Sequence, residues 1–471
     1  LSVDGIDASG NQRLTVRPAL EHLTVEAAYT LQPSGEIEPV DANAIQFQTE
    51  TGDLFSDAQV AVLVFQGVTL DSTLVTVSTR TIATRRWPLP WSSLIGAYGG
   101  GPIERFEVQV RWDEDAEEPT VQHDVPLLRC TEGTRSIDCS VLSLDAVASD
   151  ANVAWADVQR FVLISQRTSW DELVARELAI VNERATPIDL ETVGIDVSDP
   201  ERALQNIYRF VADGIRYVAF EHGSGAVVPR HARTTLERRF GDCKDKVALF
   251  LALARGAGLD AYPVLVASER YDAGRLFAPS WRWFDHMIAC VDVPASEPQC
   301  FELTTNNAAT GQLPSSLHGA VALELRANPS RAASPMELAS PPVSWPVSFD
   351  VINDLRCDGE IVERVELTFR DAAAIGMRSI LRGATSAERE RWATDFYEGA
   401  MGGEYSPTFE FAGLDAPEKP VVLRSTNTFP PASPATELRQ ISEPDFWLNY
   451  FVKEQYGANK NHVERFVSRR Y

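Results

Sequence analysis

The chain of 471 residues has little lysine, little cysteine and no long apolar run. Its greasiest segment, residues 247–259, is broken by Arg255, Gly256 and Gly258. It falls short of the roughly 18 apolar residues a membrane-spanning helix needs, so no transmembrane segment is expected. Six cysteines are too few for a disulfide-built scaffold. Cys130 and Cys139 can close a short loop, and Cys290 and Cys300 can face each other across a hairpin. Cys357 has no evident partner. These pairings are permitted by spacing, not required by it. Lysine occurs only at 244, 246, 419, 453 and 460, and two of the five flank one cysteine. No HExxH, GxSxG or P-loop string is present, which removes the common metalloprotease, serine-hydrolase and nucleotide-phosphate signatures. His222 and His231 precede Cys243 at no recognised zinc spacing. They read as loop or cleft residues, and neither a metal nor an organic cofactor is expected.

What is present is globular. Hydrophobic residues make up 44% and charged residues 23%, which excludes wholesale disorder, collagen and a long coiled coil. The length suggests about three domains and is ample for burying cores without staples. The formal net charge is −24. So acidic a surface repels phosphate backbones and anionic bilayers, so nucleic acid is not an expected partner. The chain opens on Leu1 rather than Met. A segment upstream is therefore expected to have been removed or left out, a signal peptide being one such segment.

The pattern changes twice along the chain. Residues 1–185 read as an N-terminal β-rich domain, sandwich- or barrel-like. Phe106, Val108, Val110 and Trp112 alternate with Glu107, Gln109 and Arg111, the period of a half-buried strand. Residues 22–31 and 60–65 are further strand candidates, the acidic run 113–118 reads as a loop, and residues 170–181 have helical spacing. Residues 186–325 read as a central α+β domain. Its expected helices are 200–212 and 243–255, the latter capped by Asp242 and stopped by Gly256 and Gly258. Its expected strands are 215–220, 261–266, 287–293 and 301–305. Residues 326–346, with five prolines, read as a linker or meandering crossover. Residues 347–471 read as a second β-rich domain, with a hairpin turned at Asp358-Gly359 and a helix opened by the capping box Thr385-x-x-Glu388.

One string concentrates reactive chemistry: Arg239-Phe240-Gly241-Asp242-Cys243-Lys244-Asp245-Lys246. A cysteine in the first turn of a helix meets free N–H groups and the positive end of the dipole, which favour a thiolate. The same amides can receive an oxyanion. Local sequence leaves a buried structural cysteine equally open. A nucleophilic thiol needs a base and the base an orienting acid. His286 lies 43 residues after Cys243 and Glu302 lies 16 further on. If the segment between them is a hairpin without a bulge, the even separation lets both share one sheet face. A strand histidine beside a surface glutamate is the plainer alternative. Tyr217, Glu221, Arg239, Trp281 and Trp283 are cleft candidates, with core or salt-bridge roles equally open.

Together, Tyr217-Val218-Ala219-Phe220-Glu221, Gly225, Pro229, the Gly241–Lys246 string, residues 247–253 running to Gly258, and Phe284-Asp285-His286 resemble the bacterial transglutaminase-like superfamily. The resemblance covers about residues 195–310. It implies a papain-like α+β core with Cys243 as nucleophile, His286 as general base and acid, and Glu302 as the orienting acid. The family usually places aspartate before Pro-Thr there, whereas this chain has Phe301-Glu302-Leu303-Thr304. Glutamate is one methylene longer and still able to orient an imidazole. More weakly, residues 161–174 resemble the end of the usual N-terminal partner, and Asp358-Gly359 with residues 376–382 the usual C-terminal one. The resemblance implies a thiol enzyme acting on amide bonds of a protein or peptide, by hydrolysis or acyl transfer, in an extracytoplasmic location. A non-catalytic scaffold that retains the fold is the alternative.

Overall fold

A computed structural model describes residues 10–18, 21–41, 45–49, 55–56, 59–82, 88–98, 101–147, 153–196, 199–221, 225, 227–293, 297–326, 331–340, 346–357, 360–401 and 408–429. The N-terminal region consists of short antiparallel strands in two packed pairs of three-stranded sheets. In the first pair, Asn11–Val16, Gln59–Val64 and Gln46–Thr49 face Ile37–Pro39, Glu21–Leu31 and Thr73–Ile82. Val16, Leu23, Ala61 and Leu63 are buried between them. In the second, Arg129–Gly133, Ser136–Leu144 and Ile103–Arg111 face Thr120–His123, Phe161–Ser165 and Ser92–Gly96. The alternation read in the sequence is the pleat of Ile103–Arg111: Val108 and Val110 are buried, and Glu107, Gln109 and Arg111 are exposed. Cys130 and Cys139 stand directly opposite each other on two paired strands and are disulfide-bonded.

Helix α1 (Trp170–Arg184), whose capping box pairs Ser169 with Glu172, lies within the expected N-terminal region but packs into the central core. Helices α2 (Pro200–Gly214), α3 (Ala232–Arg238) and α4 (Cys243–Gly256) follow. A five-stranded antiparallel sheet comes next: β1 (Ala261–Ala267), β2 (His286–Val291), β3 (Gln299–Phe301), β4 (Val321–Glu324) and β5 (Met336–Glu337), in the order β3-β2-β1-β4-β5. α4 is apolar on every side over residues 247–254, and all eight are fully buried, as a helix with no polar face must be. Leu265, Met287, Ala289, Val291, Phe301 and Leu323 pack it against one face of the sheet. The opposite face buries Tyr262, Val264, Ile288 and Cys290 with Leu317 and Leu338. Cys290 and Cys300, directly paired on β2 and β3, form the second disulfide.

The structure departs from the sequence reading in four further places. The stretch 215–220 is not one strand: Arg216–Tyr217 pairs in parallel with Phe240–Gly241, and Phe220–Glu221 with Phe55–Ser56. β3 ends at Phe301, before Glu302. The Thr304 N–H and hydroxyl both donate to Glu302 Oε1, each at 2.6 Å, and such local bonds compete with the ladder. Within the proline-rich crossover, β5 pairs with β4 and Leu338 is buried. The C-terminal region has, besides the helix expected after Thr385, a second helix that was not expected, over Asp371–Leu381. Helices α5 (Asp371–Leu381) and α6 (Ser386–Met401) cover a four-stranded sheet ordered Val347–Leu355, Ile361–Phe369, Val421–Phe429 and Thr408–Ala412. Val365, Leu367 and Phe369 need that cover, which Ala374, Met377, Leu381 and Ala393 supply. The Thr385–Glu388 box is formed, whereas Asp358 and Gly359 lie outside the described residues. Among the described residues no helix is long and apolar enough to cross a membrane.

Gly256 shows how tightly α4 is seated. A Cβ there would stand 2.1 Å from Ile188 O, and Ile188 N itself donates to Ala252 O at 3.1 Å. Overpacking against tethered backbone reaches the upper end of about 1–3 kcal/mol. That exceeds the roughly 1 kcal/mol alanine gains over glycine in a helix. Gly256→Ala is expected to destabilise the protein by about 1–2 kcal/mol, read as a lower urea midpoint at unchanged slope.

Candidate active site

Each residue of the Gly241–Lys246 string has a task at the start of α4. Gly241 lies so close to Asp245 that a Cβ would approach the Asp245 Cβ to 2.6 Å. Asp242 is the N-cap: Oδ1 accepts from Asp245 N at 3.1 Å, and Asp245 Oδ2 accepts from Asp242 N at 3.3 Å. Lys244 Nζ donates to the second Asp242 oxygen. Burial still raises the Asp242 carboxyl, with Lys244 opposing the shift. Asp245 accepts from Arg230 N at 2.6 Å and pairs with Arg230 Nη1 at 2.9 Å, fastening the preceding loop. Buried Lys246 donates to Ile215 O at 2.7 Å and Ala212 O at 3.3 Å, closing the C-terminal end of α2. Burial pushes this ammonium down to about 8, opposed by the charges of Glu302 and Asp213. Cys243 is a free thiol, half-buried, at the first helical position. Its amide and that of Lys244 have no carbonyl a turn earlier to bond.

His286 opens β2. The register Cys290↔Cys300 and Ala289↔Phe301, continued one step, sets Glu302 opposite Ile288 on the same face as His286. Glu302 Oε2 lies 2.6 Å from His286 Nε2, and the Cys243 thiol lies near enough to the ring to favour its protonated form. Burial by itself would lower the imidazole. The hydrogen bonds with Cys243 and Glu302 and the Glu302 charge outweigh it, so the protonated ring is favoured well above the usual histidine range. Burial would likewise raise Glu302, but the bonds from His286 and Thr304 hold it below the usual carboxylate range. Cys243, His286 and Glu302 are thus brought together in one row, joined by the His286–Glu302 bond.

The row borders a cleft of about 130 Å³ whose walls include Tyr217, Trp281, Phe284, Lys244 and Glu177. The neighbouring domains hold its rim. From the N-terminal side, Arg282 Nε donates to Ser92 O and Arg270 Nη1 to Ala156 O, each bond 2.6 Å, and Arg275 pairs with Asp124 at 2.7 Å. These bonds pin the loop between β1 and β2 that delivers His286. From the C-terminal side, Arg378 Nη1 donates to Asn307 O at 3.3 Å and Arg382 Nη1 to Asn306 O at 2.8 Å, pinning the loop after Glu302.

The other candidates divide. Tyr217 and Trp281 line the cleft. Trp283 is core, donating to Ala278 O at 2.8 Å and packed on Phe161 and Phe277. Arg239 caps α3 in the left-handed region and stacks on Phe210. His231 precedes α3 and contacts Arg184. Asp285 does not orient the imidazole; it accepts from Ser268 N and Oγ, at 2.8 and 2.5 Å. His222 lies outside the described residues, as does the Glu221 side chain. Among the described residues no cluster of three or more metal-type side chains gathers. The sequence reading missed Glu177, which is buried on α1 yet lines the cleft. Burial alone pushes its carboxyl up to about 8. The available signal was an acid in the row Trp170, Val174, Val181 on an otherwise apolar helix face.

Residues 192–286 match the transglutaminase-like superfamily, and residues 1–135 match a domain of unknown function, DUF3857. The chain therefore carries a transglutaminase-like core behind a DUF3857 domain. The superfamily match includes Cys243 and His286 and stops short of Glu302. The crystal structure of a "putative protease" from Parabacteroides distasonis shares the fold with a TM-score of 0.58 at 11% identity, over 92% of this chain and 89% of that one. A "putative cysteine protease" from Cytophaga hutchinsonii also aligns at 11% identity, over 53% of this chain and 83% of that one. Its TM-score of 0.19 supports no comparison of fold. No curated protein matches the chain.

The pairing makes stability depend on pH in both directions. The folded pKa of His286 lies above its ordinary 6.5. Its contribution is therefore complete below that value and lost as pH rises through the folded one. The folded pKa of Glu302 lies below its ordinary 4.5, so its contribution is present above that value and lost on acidification. Glu302→Gln is expected to lower the His286 pKa in an NMR titration. The loss of unfolding free energy relative to wild type should be greatest between about pH 4.5 and 6.5 and shrink on either side.

Proposed function

We propose that the protein is a thiol enzyme that opens amide bonds of a protein or peptide through a Cys243 thioester. The observation that carries this reading is the buried 2.6 Å bond between Glu302 and His286, with Cys243 bordering the same cleft as the ring. His286 already holds the proton given up by the thiol, so sulfur attacks the carbonyl carbon as a thiolate while the carbonyl π pair moves onto oxygen. The amides at the start of α4 receive that oxyanion. On collapse the C–N bond breaks, and His286 returns the proton to the departing amine. Water then gives an acid, or an amine gives a new amide, with His286 again taking and returning a proton. Glu302 holds the imidazole in place and stabilises its charge without accepting the proton. The shared fold with a protein described as a protease favours a protein or peptide substrate, and an assembled triad opening on a cleft favours catalysis over a scaffold. The two disulfides support an extracytoplasmic location.

Cys357 provides an internal control, being a free and exposed thiol where Cys243 is half-buried. By access alone Cys357 should be alkylated faster. With the pair assembled, Cys243 should outpace it with iodoacetamide at pH 6.5, by on the order of 10-fold, read by peptide mass spectrometry. His286→Ala should remove that advantage. If Cys243 is the slower thiol in wild type, the reading fails.

A further inference from the structure

Glu177 is 3% exposed and lines the cleft that Cys243 and His286 border. It occupies the inward row of α1 between Val174 and Val181, both buried, where an aliphatic side chain would pack without penalty. Among the described residues nothing hydrogen-bonds or ion-pairs with its carboxyl. The other acids of the cleft are engaged, Asp242 by Lys244 and Asp285 by Ser268. An unpartnered buried acid is costly, so its position beside the nucleophile points to a partner that arrives with the substrate. Because burial favours the neutral form, this carboxyl has one O–H donor and one carbonyl acceptor in a plane. An amide oxygen is an acceptor that this O–H can meet, and a primary amide adds an N–H donor on the same edge, which a trans peptide bond turns to the other side.

We propose that Glu177 is a substrate-contacting residue that hydrogen-bonds the scissile amide beside Cys243. Its O–H donates to the amide oxygen; where the amide is primary, its own carbonyl also accepts from the N–H syn to that oxygen. This rests on the amide reading above and adds the group that recognises the amide. No proton is transferred by Glu177. The O–H···O bond strengthens as the amide oxygen gains charge, so the contact favours the transition state over the bound substrate.

Two small uncharged alkylating agents test it, iodoacetamide with an amide and iodomethane without one. The ratio of their rates at Cys243 cancels the ionisation of the thiol. Because neither reagent is charged, it is also insensitive to the charged and titratable groups that line the cleft with Glu177: Asp242 and Lys244 at the start of α4, Asp285 and His286 at β2, and Tyr217. The same ratio at exposed Cys357 is the solution reference. At pH 6.5 wild type should prefer iodoacetamide at Cys243 by roughly 3- to 10-fold over that reference, the worth of one or two hydrogen bonds. Glu177→Gln keeps a donor and an acceptor and should stay within about twofold of wild type. Glu177→Leu should fall to the Cys357 value. At pH 9 the wild-type preference should weaken, since an ionised carboxyl donates nothing, while that of Glu177→Gln should not.

Folding is read alongside. The folded pKa of Glu177 is raised from 4.5 to about 8, so the wild type loses stability as pH rises between those values. Glu177→Leu should therefore melt higher than wild type, by more at pH 8 than at pH 5. An equal rate ratio in all three proteins overturns the proposal while leaving the amide reading intact, provided Cys243 still outpaces Cys357. A lower melting temperature for Glu177→Leu makes Glu177 structural and also overturns it. A Cys243 slower than Cys357 in wild type overturns both readings.

Discussion

The burial of α4 on all sides is the constraint on which the rest depends. Eight consecutive residues without solvent exposure leave the helix no freedom to slide or roll, since any shift opens voids against the sheet on one side and α1 and α2 on the other. Its first turn is then a fixed point. A fixed first turn is what a nucleophile there needs, since the attacking sulfur and the amides that receive the oxyanion belong to the same few atoms. The charged residues around Cys243 complete this anchoring. Lys246 ties α4 to the end of α2, Asp245 ties it to Arg230, and Asp242 caps it.

The second half of the site is fixed from outside the central domain. His286 follows a long loop and Glu302 precedes another, and loops are poor supports for a hydrogen bond that must hold to a few tenths of an ångström. Arginines span those gaps. Arg270 and Arg282 lie on the β1–β2 loop and reach backbone carbonyls of the N-terminal domain, while Arg378 and Arg382 reach from α5 to the loop after Glu302. Arg270 also stacks over Trp283 and Phe161 at 5.2 and 5.3 Å. The two flanking domains thus act on the site by immobilising the loops that carry His286 and Glu302, whatever else their surfaces do.

Much of this was legible in the residues. The alternation over 103–111 is local pleat, the Thr385–Glu388 box is local capping, and Asp242-Cys243 is a helix start with its cap; each is decided by a few neighbouring side chains. The even spacing of His286 and Glu302 placed them on one face even though Glu302 falls just past the strand, because parity survives where strand length does not. What was missed depends on distant partners. β5 is a strand only because β4 offers it an edge. α5 is needed because one face of the C-terminal sheet would otherwise lie bare. Glu177 is a surface-type residue in composition and becomes a cleft residue only when α1 closes over the start of α4.

The sequence by itself determined the class of core and singled out Cys243 and His286, because a capped cysteine, its helix and a downstream histidine carry local geometry in their residue types. Tertiary structure alone decided that Glu302 reaches the imidazole, that both flanking domains brace the site, and that a buried acid on α1 lines the same cleft as the thiol. Those outcomes depend on side chains far apart in the chain meeting in a medium that excludes water. Burial there sets which groups are charged, and no local pattern encodes burial.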